Sequence, residues 1–314
     1  MSSSLSDVDQ DALAHLRSAA ERAALRPARF VLPGVRDVIA NGIRLQLLEW
    51  GPADAPPIVF LHGGSLTAHT WDLVCLVLSE QYRCIAVDLR GHGESEWPAN
   101  ADYTLDAIAA DVAALIGTTV ERPPVLVGMS LGGLTALLAA SRPDVELSGL
   151  VVVDIGPRPR VDGVQAIIDF TSEHELDSVD AFVQRALAFN PRRRPELLRR
   201  SLLHNLRQLP SGRWAWKWDP RRSGVSRPEQ VRAHQDRLWA SVSQIHCPTL
   251  VLRGERSTVF LDEDAAELAA ALADARVTVV PDAGHTVQGD NPRGLLDAVV
   301  PFLAQIHGPL VSGY

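Results

Sequence analysis

The chain has 314 residues, 46% of them hydrophobic, and a net charge of −8, enough apolar material for a large core in a single α/β domain. The acidic balance argues against a nucleic-acid footprint, and no apolar run reaches the ~20 residues that a membrane helix requires. A polar, acidic start (Met1 to Gln10) and three cysteines without C-x-x-C spacing (Cys75, Cys84, Cys247) lead to the expectation of a cytoplasmic protein with reduced thiols, neither exported nor anchored.

In chain order, Leu13, Leu16, Ala20 and Ala23 recur at helical spacing within Ser4 to Leu25, predicting an amphipathic extension over 1–28. Val35 to Ala40 and Ile43 to Trp50 flank Asn41-Gly42, the signature of a hairpin with a type I′ turn. Pro57 to His62 is a continuous apolar run, as in a strand covered on both faces, and ends in Gly63-Gly64-Ser65. A helix over Trp71 to Leu78, a strand over Cys84 to Asp88, a glycine-rich loop from Arg90 to Ser95 and a helix over Leu105 to Ile116 follow. Val125 to Val127 then reads as a strand, Leu131 onward as a helix, and Gly149 to Asp154 as the next strand.

From Gly156 to His246 the strand rhythm stops. The segment is rich in Arg, Pro and Trp, with helical patterns near Val164 to Phe170, Val179 to Phe189, Glu196 to Leu206 and Glu229 to Val242. Such a block reads as a helical insert over 157–246 that divides a core of 29–156 and 247–314. The arginines at Arg192 to Arg194, Arg199 and Arg200 read as a solvated helical face. Strands and helices resume with Thr249 to Leu252, Glu263 to Leu272, Arg276 to Val280 and Gly294 to Ile306. This alternation makes a mostly parallel sheet with helices on both sides.

Gly128-Met129-Ser130-Leu131-Gly132 fits G-x-S-x-G, in which small neighbours let a strand turn sharply into a helix and lift a serine hydroxyl onto the rim of the sheet. The free N–H of Leu131 at the helix start can face a developing oxyanion. Ligands of open α/β sheets sit beyond the carboxyl ends of the strands. Gly63-Gly64, Ser130, Asp154 and the loop Pro281 to His285 all fall there.

Taken with His62-Gly63-Gly64, Trp71 downstream, Arg90-Gly91-His92-Gly93-Glu94-Ser95 and Gly284-His285 after the last strand, the chain from about Val35 to its end resembles the α/β-hydrolase superfamily, in its lidded esterase-like branch. The resemblance implies an eight-stranded, mostly parallel sheet flanked by helices, with a helical lid inserted after the sixth strand. It makes Ser130 the nucleophile, His285 the base, and the backbone amides of Gly64 and Leu131 the oxyanion hole. His62 and His92 are structural in such settings.

One position departs from the common pattern. Relatives usually carry an aspartate two to four residues past the glycine of the seventh strand, but Gly254 is followed by Glu255, Arg256, Ser257 and Thr258. Asp154, one strand away at about 5 Å, is the best-placed replacement, although an aspartate before Ile155-Gly156-Pro157 is also a natural turn former. Glu255 is the alternative, while Asp262 and Asp264 suit a helix start.

Leu66 and Met129 are expected to line an apolar pocket. Trp214, Trp216 and Trp218 form either an aromatic wall for the substrate or the packing between lid and core. The expected activity is cofactor-independent and metal-free hydrolysis of a small to medium apolar ester or lactone by a monomer or homodimer. Carbon–carbon bond hydrolysis, or ligand binding without turnover, are the rival readings.

Overall fold

The computed structural model describes residues 7–222 and 228–308. Its strands are β1 (Gly34–Ala40), β2 (Ile43–Trp50), β3 (Pro57–Leu61), β4 (Arg83–Val87), β5 (Val125–Met129), β6 (Gly149–Val153), β7 (Glu175–Leu176), β8 (Leu206–Gln208), β9 (Trp214–Trp216), β10 (Thr249–Gly254) and β11 (Ala275–Val280). Eight of them form one sheet in the order β1-β2-β4-β3-β5-β6-β10-β11. Only β2 runs against its neighbours, and the other pairings are parallel.

The apolar runs are buried because both faces of the sheet are covered. Side chains alternate along each strand, so Val59 and Leu61 of β3 join one core layer while Ile58 and Phe60 join the other. Helices Leu105–Thr119, Leu131–Ala140 and Asp262–Ala271 cover the first layer. Asp72–Leu78 and Pro292–His307 cover the second. The N-terminal helix, Asp7–Arg22, docks on that second face, with Ala20 and the following Leu25 buried alongside Leu78 and Tyr82. In the hairpin, Asn41 and Gly42 take φ of 51° and 76°, the left-handed pair that the type I′ turn requires.

The insert connects β6 to β10 and carries the helices Val161–Thr171, Val179–Phe189, Pro195–Asn205 and Pro228–Ser241. The insert after β6 is helical, as the sequence implies, and it also holds a small antiparallel sheet of β7, β9 and β8; strands of two or three residues are too short to leave an alternation pattern. Arg192 to Arg194 lie in the turn between two helices rather than on a helical face. Among the described residues no helix is long and apolar enough to cross a membrane, and the three cysteines form no disulfide.

The helix that follows β5 comes close against the middle of the sheet. A Cβ on Gly132 would stand 2.4 Å from the carbonyl oxygen of Leu61 at the end of β3, so any side chain there pushes the helix off the sheet. Gly117, near the end of helix Leu105–Thr119, has open space where its Cβ would be. Gly132→Ala should therefore lower unfolding free energy by on the order of 1–3 kcal/mol, whereas Gly117→Ala should raise it by up to about 1 kcal/mol. Urea unfolding of both variants checks the pair, and an equal effect of the two would contradict the packing described.

Candidate active site

Ser130 sits between β5 and its helix at φ 52° and ψ −117°, a conformation costly for any residue with a side chain. Its N–H donates to Val153 O at 3.2 Å and its carbonyl accepts from Leu134 N–H at 2.9 Å, so the neighbouring strand and the helix together hold the strained turn. Asp154 leaves β6 in a similar way, at φ 54°, with its N–H on Leu252 O at 2.7 Å.

Three chain segments meet here. His285 Nε2 lies 3.0 Å from Ser130 Oγ, and its Nδ1 lies 2.8 Å from Asp154 Oδ2. The Asp154 carboxylate is fully buried and takes two further hydrogen bonds, from Gly254 N–H at 2.7 Å and from the Ser257 hydroxyl. An ionised carboxylate only accepts, so the proton of His285 belongs on Nδ1 and Nε2 is left free to accept from Ser130. Ser257 thus occupies the neighbourhood of the missing acid and donates to Asp154. Glu255 turns elsewhere, its Oε2 accepting from Asp282 N–H at 2.9 Å.

On the opposite side of Ser130 runs the turn Gly63-Gly64. A Cβ on Gly63 would stand 3.3 Å from Ser130 Cβ and 2.5 Å from Met129 Sδ, so the turn abuts the serine. Leu131 opens the helix Leu131–Ala140, where its N–H has no helical partner. Behind the turn, His62 donates from Nδ1 to Gly63 O at 2.8 Å and accepts at Nε2 from Leu89 N–H at 3.0 Å. It ties the end of β3 to that of β4, and burial holds its pKa down to about 4.

A cavity of about 290 Å³ covers Ser130 and His285. Gly63, Gly64, Leu66 and Met129 form its floor, and Ile167, Phe170, Phe189 and Leu202 of the insert form much of its roof. Of the three tryptophans only Trp216 is part of this lining. Its ring packs edge-on against Phe182 at 4.9 Å. Trp214 packs on the insert's own apolar cluster, and Trp218 meets His174 edge-on at 4.9 Å.

The cavity also has polar members that no motif signals: Arg193, Asn205, Arg222 and Asp290. Asp290 accepts from Gly284 N–H at 3.0 Å and pairs with Arg193 at 3.2 Å, bracing the loop that carries His285. Burial pushes its pKa up, against the pull of Arg193.

Among the described residues one group has metal-ligand character: the ligand atoms of His69, Asp72 and His204 lie within 4.8 Å of one another. Asp72 there bonds both His69 Nδ1, at 3.0 Å, and the Arg200 guanidinium, so its carboxylate is already paired with a fixed cation.

Residues 58–298 match the model of the Alpha/beta hydrolase family. The chain is 35% identical to Esterase Rv0045c of Mycobacterium tuberculosis, covering 94% of this chain and 97% of that one. A crystal structure of that esterase superposes with a TM-score of 0.75, covering 96% of this chain and 99% of that one. The chain is also 34% identical to the mouse (Mus musculus) sn-1-specific diacylglycerol lipase ABHD11 over 81% of its length and 83% of the lipase. To the 3-hydroxybutyrate-oligomer hydrolase of Cupriavidus necator it is 30% identical, over 77% and 87% of the two chains.

The buried His62 makes stability depend on pH in a definite direction. An unfolded histidine takes up its proton near pH 6.5, whereas the folded one resists until about pH 4. The contribution is therefore complete above about pH 6.5 and is lost as pH falls towards 4, by up to about 3 kcal/mol. Urea unfolding between pH 7 and 4.5 should show this decline, with a shallower slope in His62→Gln. An unchanged slope in the variant would contradict the assignment.

Proposed function

The chain belongs to the alpha/beta hydrolase family, and on that premise we propose that it is a cofactor-independent serine hydrolase cleaving a small to medium, largely apolar carboxylic ester or lactone through an acyl-enzyme on Ser130. The observation that carries this reading is the file of hydrogen bonds from Ser130 Oγ through His285 to Asp154, at 3.0 and 2.8 Å, opening into a mostly apolar cavity. At about 290 Å³ that cavity lies near the lower end of ligand sites, which supports a substrate of modest size. The names of the relatives, an esterase, a lipase and an oligomer hydrolase, support ester chemistry.

In the proposed cycle, Ser130 Oγ attacks the carbonyl carbon as His285 Nε2 takes its proton, and the buried Asp154 carboxylate stabilises the imidazolium. The N–H groups of Gly64 and Leu131 receive the negative charge on the carbonyl oxygen, each donor contributing on the order of 3 kcal/mol. His285 then protonates the departing alkoxide, leaving the acyl group on Ser130. Water enters, gives a proton to the same nitrogen, attacks the acyl carbon and releases the acid as Ser130 recovers its proton. The insert serves as the lid, its helices enclosing the acyl or alcohol chain in apolar side chains.

Ser130→Ala should abolish both the burst of p-nitrophenolate from p-nitrophenyl butyrate and labelling by a fluorophosphonate. Asp154→Asn should lower kcat by on the order of 10⁴-fold with a small change in KM. Near-normal turnover by Asp154→Asn beside an inactive Ser130→Ala would remove Asp154 from the mechanism.

A further inference from the structure

Besides the paired Arg193 and Asp290, the cavity over Ser130 holds a further charge that the proposed ester cleavage does not use. Arg222 ends the single turn Pro220–Arg222 and lines the same cavity as Ser130 and His285. Its Nη2 lies 4.0 Å from where a Cβ on Gly64 would stand, next to the turn that abuts the serine. The segment leading to it is clamped to the core, with Gly93 N–H on Lys217 O at 2.7 Å and Asp219 N–H on Gly91 O at 2.9 Å.

Among the described residues the Arg222 guanidinium has no counter-ion. Its Nε is shut off from solvent and lacks a hydrogen-bond partner, and among the described residues no carboxylate pairs with it. Asp219, the acid whose field it feels, commits its oxygens to Arg221 and to the Tyr103 hydroxyl. The rings of Trp218 and Tyr103 flank it at 5.7 and 5.9 Å, and Trp218 Nε1, another donor, is also unpartnered. Desolvation lowers the guanidinium pKa to about 10, which leaves it charged at neutral pH. A desolvated, unpaired charge is strongly unfavourable in a folded chain and is relieved when an anion enters beside it.

The approach to the site has the same sign. A cleft of about 1120 Å³ meets the cavity at His285 and is lined by six arginines; four of them are in ion pairs, Arg22 with Glu196, Arg193 with Asp290, Arg256 with Asp282 and Arg293 with Asp297, which leaves an excess of two cations there although the chain as a whole carries −8. Clefts of one sign concentrate ligands of the other.

We propose that Arg222 binds a carboxylate carried by the substrate, so that the preferred ester is a monoanion with an otherwise apolar chain. This rests on the hydrolase reading for its chemistry but on Arg222 alone for its charge preference. The carboxylate sits either on the acyl side, as in a dicarboxylic acid monoester, or on the alcohol side, as in an acyloxy acid.

The test is kcat/KM by pH-stat titration for monoethyl malonate through adipate and for 3-acyloxypropanoates, each against a neutral ester of equal length. In the wild type, one series should show an anionic-over-neutral ratio well above unity. In Arg222→Met that ratio should fall by on the order of 10- to 100-fold, and Arg222→Lys should retain part of it. A ratio near unity in the wild type, or one unchanged in Arg222→Met, overturns the proposal. Calorimetric binding to Ser130→Ala separates this from the hydrolase reading. Tighter binding of the anionic ester, lost in Ser130→Ala/Arg222→Met, upholds the carboxylate site even if no ester is turned over. Hydrolysis of esters without charge preference removes the carboxylate site and leaves the hydrolase.

Discussion

The arrangement at the sheet edge depends on one buried carboxylate. Asp154 is sealed from water, and a charge in that position requires donors on every side. Gly254 N–H, the Ser257 hydroxyl and His285 Nδ1 supply them, and the last of the three orients the imidazole towards Ser130. Removing any donor weakens the support of the ring as well as of the acid.

Sheet register explains how such distant residues arrive together. Met129 pairs with Val153, Leu252 with Val153, and Gly254 with Val280, so β5 and β6 end level with each other, and β10 and β11 end together two residues further on, at the same edge of the sheet. The residues that follow those ends are Ser130, Asp154, Glu255 and the loop to His285. Ser130 and Asp154 each take positive φ immediately beyond their strands. A pair of strained residues held by adjacent strands keeps both side chains on the rim rather than in a helix or turn of their own. A second buried pair, Arg90 with Asp111 at 2.5 Å, fixes the glycine-rich loop to helix Leu105–Thr119. Through Gly91 and Gly93 that loop also holds residues 217–219 of the insert, linking core rigidity to the roof over Ser130.

The core was legible because its strands are uninterrupted apolar runs and its hairpin has the turn residues that its backbone demands. The serine elbow was legible because glycine is forced on both sides of Ser130 by close backbone approach. Asp154 and Glu255 were left as alternatives by the sequence, since the choice depends on which strand lies beside β10, a relation set by the topology. Ser257 carried no signal, as a serine in a loop commonly bonds its own backbone. The small sheet of the insert, the single tryptophan over the cavity and the group Arg193, Arg222 and Asp290 were not legible either. Apart from Asp290, which follows His285, they lie in the insert, where contacts between distant residues decide each position.

The central claim is that Asp154 holds His285 with its proton on Nδ1 and its Nε2 turned to Ser130. Proton and ¹⁵N NMR of the histidine ring tests it most directly. The account predicts a strongly deshielded Nδ1–H and an unprotonated Nε2 at neutral pH, retained in Ser130→Ala and lost in Asp154→Asn. A His285 protonated on Nε2, or an Nδ1–H resonance indifferent to Asp154→Asn, would contradict it.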